Sequence, residues 1–524
     1  MRYMIVRALL VAISCAATFA MFADDYDLVL RNGRVIDGTG NPARFADVAV
    51  KDGRIAAVGR VAGTAAAELG VNGLIIAPGF IDVHTHAEEI DEIPRGENFV
   101  RMGVTTLVLG NCGGSVTNVG DFFHRLEETK ISPNVATLVG HGTVRGRAMS
   151  GDFDRAPSTQ ELERMKEAVE QGMKDGAVGL STGLIYLPGT FSKTDEIVQL
   201  AKVAAKYNGI YASHMRSESA EIFQSLDELF RVASEGGLRA HVSHIKLSGQ
   251  SNWGQTEKVI AAIEKARAEG LDITEDQYGY TASSTSISTL IPKKYREGGK
   301  FKEHYTNAAS RAQMIEQMQS QRERGGAGDY SYAVIASYKH DRSFNGLNVA
   351  QAAKKLRGSD ALNDQIETIL EIQNQGGASA VFHSMTEPDV QQFMRHPNTM
   401  FASDSGVRAF GQGVPHPRGY GNNARILARY VRELQVLRLE DAIRRMTSLP
   451  ATTFGIRNRG FVREGGWADL VVFDPAKVQD NATFESPHQY ATGFAHVFVN
   501  GVEVVKDDKH TGAKPGRTVR RNQE

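Results

Sequence analysis

Residues 75 to 86 read Ile-Ile-Ala-Pro-Gly-Phe-Ile-Asp-Val-His-Thr-His, and the fold turns on this stretch. The apolar and β-branched residues ahead of the first histidine have the profile of a strand buried on both faces. The strand, expected over 75 to 83, leads into His84 and His86. Side chains alternate along an extended chain, so the two imidazoles share a face while Thr85 points away. Two neutral imidazoles converging at a strand end are a starting pair of ligands for a divalent metal such as zinc. An isolated His-x-His pair is common at surface and core positions. The missing ligands must therefore come from the rest of the chain.

Working outward, short apolar strands alternate with helical patterns as far as about residue 450. Strands are expected over 75 to 83, 104 to 110, 135 to 140, 177 to 182, 210 to 214, 239 to 244, 271 to 278 and 398 to 404. Helices are expected over 161 to 175, 194 to 207, 219 to 235 and 255 to 268. Eight such units predict an α/β fold, a (β/α)8 TIM-like barrel over 74 to 454, with its chemistry at the C-terminal strand ends. Two further strand-like runs, 332 to 337 and 378 to 383, exceed the count. The gap of about 120 residues before the last strand is too long for a connection, which places an inserted lid subdomain at about 286 to 375. Both ends of the chain are β-rich, with hairpin signals at Asn32-Gly33, Asp52-Gly53 and Asn500-Gly501. The economical arrangement joins 24 to 73 with 455 to 524 in one composite β-sandwich.

The chain has 524 residues, 41% apolar and 23% charged, and 60 basic residues balance 61 acidic ones. Such balance offers no electrostatic case for a nucleic-acid or membrane-surface partner and leaves a small molecule as the expected substrate. Oligomeric state is not legible. Residues 1 to 23 have the layout of a secretory signal peptide: Arg2 and Arg7, an apolar run from Ala8 to Phe22, then Ala23 and the pair Asp24, Asp25. The run of about 15 residues is shorter than the roughly 20 a membrane span needs. The mature chain is thus expected to be exported, to the periplasm or beyond, without a membrane span. A lipoprotein signal ending at Cys15 is the lesser alternative. The only other cysteine, Cys112, then has no partner for an internal disulfide, so it is either a small core residue or a metal ligand.

The other strand ends carry residues of the same chemistry. The second strand runs into Cys112, the fifth ends in His214, the sixth in His244 and the eighth in Asp404. Packed or solvated residues would not recur at the chemical end of so many strands. Nitrogen, sulfur and oxygen donors together suit zinc better than magnesium or calcium.

Several motifs then become specific: GFIDVHTH (79 to 86), GNCG (110 to 113), GHGTVR (140 to 145), GLSTGLIYLPG (179 to 189), SHMRSE (213 to 218), HVSHIK (241 to 246), ASDSG (402 to 406), HPRGYG (416 to 421) and PGRTVR (515 to 520). With these the chain resembles the amidohydrolase superfamily, and within it the N-acyl-D-amino-acid deacylase (D-aminoacylase) family, from about residue 26 to 520. The resemblance implies zinc-dependent hydrolysis of the amide of N-acyl-D-amino acids to a carboxylate and a free D-amino acid. It implies that Cys112, His214 and His244 hold a tight zinc, and that His84, His86 and Asp404 form a second, weaker position with Cys112 bridging. Metal-activated hydroxide would attack the carbonyl, with Asp404 as general base and then acid. Lys246, Tyr278 and Ser284 would receive the substrate carboxylate, with Tyr280 the alternative to Tyr278.

Other residues stay open. Asp82 lies one layer below the His pair and is a candidate to orient an imidazole. His141 is either a second layer around the site or a structural histidine, and His241 reads as core. Arg216 and the HPRGYG segment offer guanidinium groups for substrate or for loop structure. The run GYGNNAR (419 to 425) departs from the family pattern, and export gives access to cell-wall fragments. A dipeptidase acting on a D-residue is therefore the leading alternative, followed by a hydantoinase-type cyclic amidase and, last, a non-catalytic scaffold.

Overall fold

The structure is a computed structural model that describes residues 24–296, 299–324 and 328–521. The expected signal segment, Cys15 included, lies outside the described residues. Residues 75 to 83 form two strands, not one. Ile75–Pro78 pairs with the terminal strands Tyr26–Val35 and Leu470–Phe473, whereas Phe80–Asp82 pairs in parallel with Val104–Leu109. Gly79 makes the change of sheet, because a Cβ there would stand 2.3 Å from Thr105 Oγ1. The barrel accordingly begins after residue 79 instead of at 74.

Eight parallel strands follow in chain order: Phe80–Asp82, Val104–Leu109, Asn134–Thr137 continued by Val139–Gly140, Gly179–Gly183, Ile210–His214, Ala240–Val242, Ile273–Gln277 and Thr399–Phe401. Neighbours pair in parallel around the series. The last strand returns to the first through a parallel bridge between Thr85 and Ser405, where the Asp404 N–H donates to the His84 carbonyl and the His86 N–H to the Ser405 carbonyl, both at 2.9 Å. The ring is closed, as the βα alternation predicts. The expected helices are Thr159–Lys174, Thr194–Ala205, Ile222–Gly236 and Thr256–Ala268. Thr159–Lys174 shows why: Ser158 and Glu161 form a reciprocal capping box, and Met165, Val169 and Met173, at helical spacing, turn into the core. The box contributes about 1 kcal/mol, and each buried apolar side chain about 1.5–3 kcal/mol.

Strands of both termini form one nine-stranded sheet. Within Leu470–Phe473, Leu470 and Val472 face the core of that sheet while Val471 and Phe473 face the barrel, so the strand is apolar on both sides. Asp52-Gly53 and Asn500-Gly501 make tight hairpins with positive φ at all four residues. Asn32-Gly33 does not turn the chain. It sits inside Tyr26–Val35 at a register shift, a bulge drawing on the same left-handed tolerance (Asn32 φ 59°). The C-terminal residues leave the sheet for the barrel: Val519 N–H donates to the Val135 carbonyl and Arg521 N–H to that of Gly176.

The two surplus strand signals belong to the insert. Ser283–Ser286, Ala333–Ser337 and Ser379–Phe382 form a three-stranded antiparallel sheet with its own apolar core, from Ile287 to Phe382. The subdomain therefore spans 283 to 382, wider than the expected 286 to 375. No described helix is long and apolar enough to cross a membrane.

Candidate metal centre

All six expected donors gather at the C-terminal end of the barrel. His84 Nε2 lies 3.3 Å from Cys112 Sγ and 3.7 Å from Asp404 Oδ1. His86 Nε2 is 3.2 Å from the same Asp404 oxygen, and Cys112 Sγ is 3.6 Å from both His214 Nδ1 and His244 Nε2. Three of the donors are aimed by an uncommon backbone: φ is 53° at Cys112, 36° at His244 and 49° at Asp404. Left-handed backbone at non-glycine residues is tolerated where surrounding structure over-determines it, typically at functional sites.

These donors fit a metal. His84, His86 and Cys112 present atoms within 4.8 Å of one another, as do Cys112, His214 and His244, and His84, His244 and Asp404. Cys112 belongs to two of the groups. One sulfur, several imidazoles and one carboxylate are the donor set of zinc.

Electrostatics favour the ligating, deprotonated forms of Cys112 and Asp404. Burial would raise the Cys112 thiol, but the His84 charge and contacts from His214, His244 and His84 outweigh it and hold the thiol well below its ordinary value. Burial would likewise raise Asp404, yet the Arg418 guanidinium, 2.9 Å from Oδ2, and the His84 charge hold it well below the carboxylate range. His86 is pushed up to about 10 because contacts with Asp404 and Cys112 overcome its burial.

Two partners of the ligands were not singled out from sequence. Asp276, fully buried on the seventh barrel strand, places Oδ2 3.2 Å from His84 Nδ1 and 2.8 Å from His241 Nε2. It, and not Asp82, orients the imidazole. Asp82 accepts from the Ser403 N–H at 3.1 Å and the His84 N–H at 3.2 Å, so it ties first strand to last, and burial lifts its pKa to about 7. Glu218 is 2.8 Å from His244 Nδ1 and forms a close ion pair with Lys246. The signal for Glu218 was its place in SHMRSE. Asp276 carries no comparable signal, since its partner His84 is 192 residues away.

Of the expected substrate-binding residues, Lys246 and Ser284 line one cavity wall, and Tyr278 lies buried behind it with its hydroxyl toward Met385 Sδ. Lys246 Nζ is held by Glu218, 2.9 Å from His244 Nδ1. Tyr278 is buried beneath the Arg418 guanidinium, 4.4 Å from its ring, and Ser284 comes from the first insert strand. Tyr280 points elsewhere, packed on His416 and Phe484. Arg216 is structural: it pairs with Glu228 and donates to the Thr190 and Ser192 carbonyls. His141 is structural too, 2.8 Å from Glu196. The wall opens into a cavity of about 2140 Å³ that His86, Cys112, His214, Lys246, Ser284 and Asp404 all line.

The amidohydrolase family model matches residues 71–505. The chain is similar to the D-aminoacylase of Alcaligenes xylosoxydans xylosoxydans, with 34% identity over 95% of this chain and 98% of that protein. It is equally similar, at 34% over 95% and 97%, to the N-acyl-D-glutamate deacylase of the same organism. Among solved structures, the N-acyl-D-glutamate deacylase from Bordetella bronchiseptica, complexed with zinc and a phosphonate that mimics the tetrahedral intermediate, superposes with a TM-score of 0.81 and 33% identity over 94% of this chain and 99% of that one. Matches of this extent run through sheet, barrel and insert alike, and on them the chain belongs to the amidohydrolase family.

Proposed function

We propose that the protein is a zinc-dependent N-acyl-D-amino-acid deacylase, which hydrolyses the amide to a carboxylate and a free D-amino acid. The observation that carries this is one wall holding the zinc-type donors, an ionised aspartate and two cations, Lys246 and Arg418, suited to a substrate carboxylate. The names of the relatives agree: one is a D-aminoacylase and another an N-acyl-D-glutamate deacylase.

Cys112, His214 and His244 would hold the tight metal, and His84, His86 and Asp404 a second, weaker one, with Cys112 shared. Zinc bound there supplies a water acidified to a pKa of roughly 7 and a Lewis acid for the carbonyl. The chain's own residues divide the remaining work. Asp404, kept ionised by Arg418, takes the proton of the attacking water and returns it to the amide nitrogen as the C–N bond breaks. The water oxygen ends in the new carboxylate. Glu218 fixes His244 through Nδ1 and steadies Lys246, while Asp276 does the same for His84. Lys246, Tyr278 and Ser284 would receive the α-carboxylate beside Arg418.

A dipeptidase acting on a D-residue is the second reading, favoured by the cavity of about 2140 Å³, which exceeds the roughly 300–1,000 Å³ usual for a small ligand. Turnover of N-acetyl-D-amino acids against L-Xaa-D-Xaa dipeptides separates the two. The signal-like residues 1 to 23 support export of the mature chain. Fractionation with N-terminal sequencing tests this; an intact Met1 on cytoplasmic protein would overturn it.

A further inference from the structure

Among the cations that line the cavity, three have carboxylate partners. Lys246 is paired with Glu218, Arg418 with Asp404 and Arg216 with Glu228. Arg408 has none among the described residues. Its side chain lines the cavity, four residues after Asp404, and its one side-chain contact is a long one, Nε to Ser405 Oγ at 3.4 Å. Burial, then the charge of Arg418, pull its pKa below the ordinary guanidinium value; Tyr420, Asp404 and Glu89 act the other way without forming an ion pair with it.

Arg408 is also not a loosely held surface arginine. Its N–H donates to Asn98 Oδ1 at 3.2 Å, and Asn98 is itself buried, donating from Nδ2 to the carbonyls of Gly419 at 3.0 Å and Gly406 at 3.3 Å. One asparagine from the first βα connection thus locks the Arg408 loop to the start of the helix Arg418–Arg425. A half-buried guanidinium that faces the cavity with no counter-charge gains when something supplies the anion. A carboxylate does so best, through two parallel hydrogen bonds.

We propose that Arg408 forms a second anion-binding position in the cavity, so that the preferred substrates carry a carboxylate beyond the α-carboxylate. This rests on the deacylase reading for what the substrate is, not for the existence of the position. The extra carboxylate has two chemical sources: an acidic side chain on the D-amino acid, or a dicarboxylic acyl group such as succinyl. Both present the same group to Arg408.

Calorimetry on the full, zinc-loaded chain separates the sources without turnover. D-glutamate is compared with D-leucine for the side-chain source, and succinate with acetate for the acyl source. The dicarboxylate of at least one pair is expected to bind roughly tenfold or more tightly, the value of one charge-assisted contact. Arg408→Gln should abolish that preference while D-leucine and acetate bind as before, and Arg408→Lys should restore part of it. Unchanged monocarboxylate binding shows that the variant is folded; if Arg408→Gln does not fold, loss of part of the preference in Arg408→Lys is the deciding result. No preference in either pair, or a preference that survives in Arg408→Gln, overturns the proposal. Hydrolysis of N-acetyl-D-leucine is followed in parallel. Absent turnover of this substrate, of N-acetyl-D-glutamate and of N-succinyl-D-leucine, with the Arg408-dependent preference intact, would defeat the deacylase reading and leave this position standing.

Discussion

Replacing Asp276 by asparagine should loosen the metal without touching a ligand. The carboxylate accepts from His84 Nδ1 at 3.2 Å and His241 Nε2 at 2.8 Å, and all three side chains are buried. With its proton on Nδ1, His84 keeps a lone pair on Nε2, which faces Cys112 and Asp404. A hydrogen bond to a charged group is worth about 1.5–3 kcal/mol against about 1 for a neutral one, so asparagine forfeits about 0.5–2 kcal/mol at each histidine. Loss of such a partner lowers metal affinity by roughly 10–100-fold, or about 1.4–2.8 kcal/mol, which overlaps that range. Competition against a chromophoric chelator reads zinc affinity directly, and thermal melting of the same sample reports on the fold. An Asp276→Asn protein with a wild-type melt and zinc affinity within about twofold of wild type would refute the idea that this carboxylate orients His84.

Asp404→Asn should lower kcat by roughly 10²–10⁴-fold while zinc is retained by the other donors; full activity would remove Asp404 from proton transfer. Cys112→Ala deletes the only described sulfur donor and should lower zinc content as well as rate, measured by elemental analysis of dialysed protein. His396 lies between Glu275 and Glu264, whose hydrogen bonds and charges outweigh its burial and raise its pKa. The imidazolium is thus favoured in the folded chain. Its stabilisation is complete below the unfolded value of about 6.5 and fades as pH rises through the higher folded value. His396→Gln should accordingly cost more stability at pH 6 than at pH 9 in urea unfolding; an equal loss at both would show that the charge is not involved.

The site was largely legible because barrel chemistry falls at predictable places. His84 and His86 follow the first strand at a spacing that shares a face, and Cys112, His214, His244 and Asp404 lie at or within three residues past the C-terminal ends of four other strands. Their helpers were less legible for a physical reason. Asp276 and Glu218 are two of many acidic residues, and only folding shows which carboxylates are buried against an imidazole. Asp82, on the face shared with the His pair, instead spends its oxygens on backbone N–H groups of the first and last strands. In the fold, apolar pattern located every barrel strand but not the break at Gly79, since Ile75–Pro78 and Phe80–Asp82 are both fully buried. Asn32-Gly33 was ambiguous at its root: hairpin and bulge both ask a left-handed backbone of Asn32.

The most direct measurement is hydrolysis of paired N-acetyl-D- and N-acetyl-L-amino acids by the purified protein, with and without a chelator, alongside zinc stoichiometry. The account predicts bound zinc and release of free amino acid from the D series alone, abolished by chelation and restored by added zinc. Turnover that survives complete removal of zinc, or cleavage confined to the L series, would contradict it.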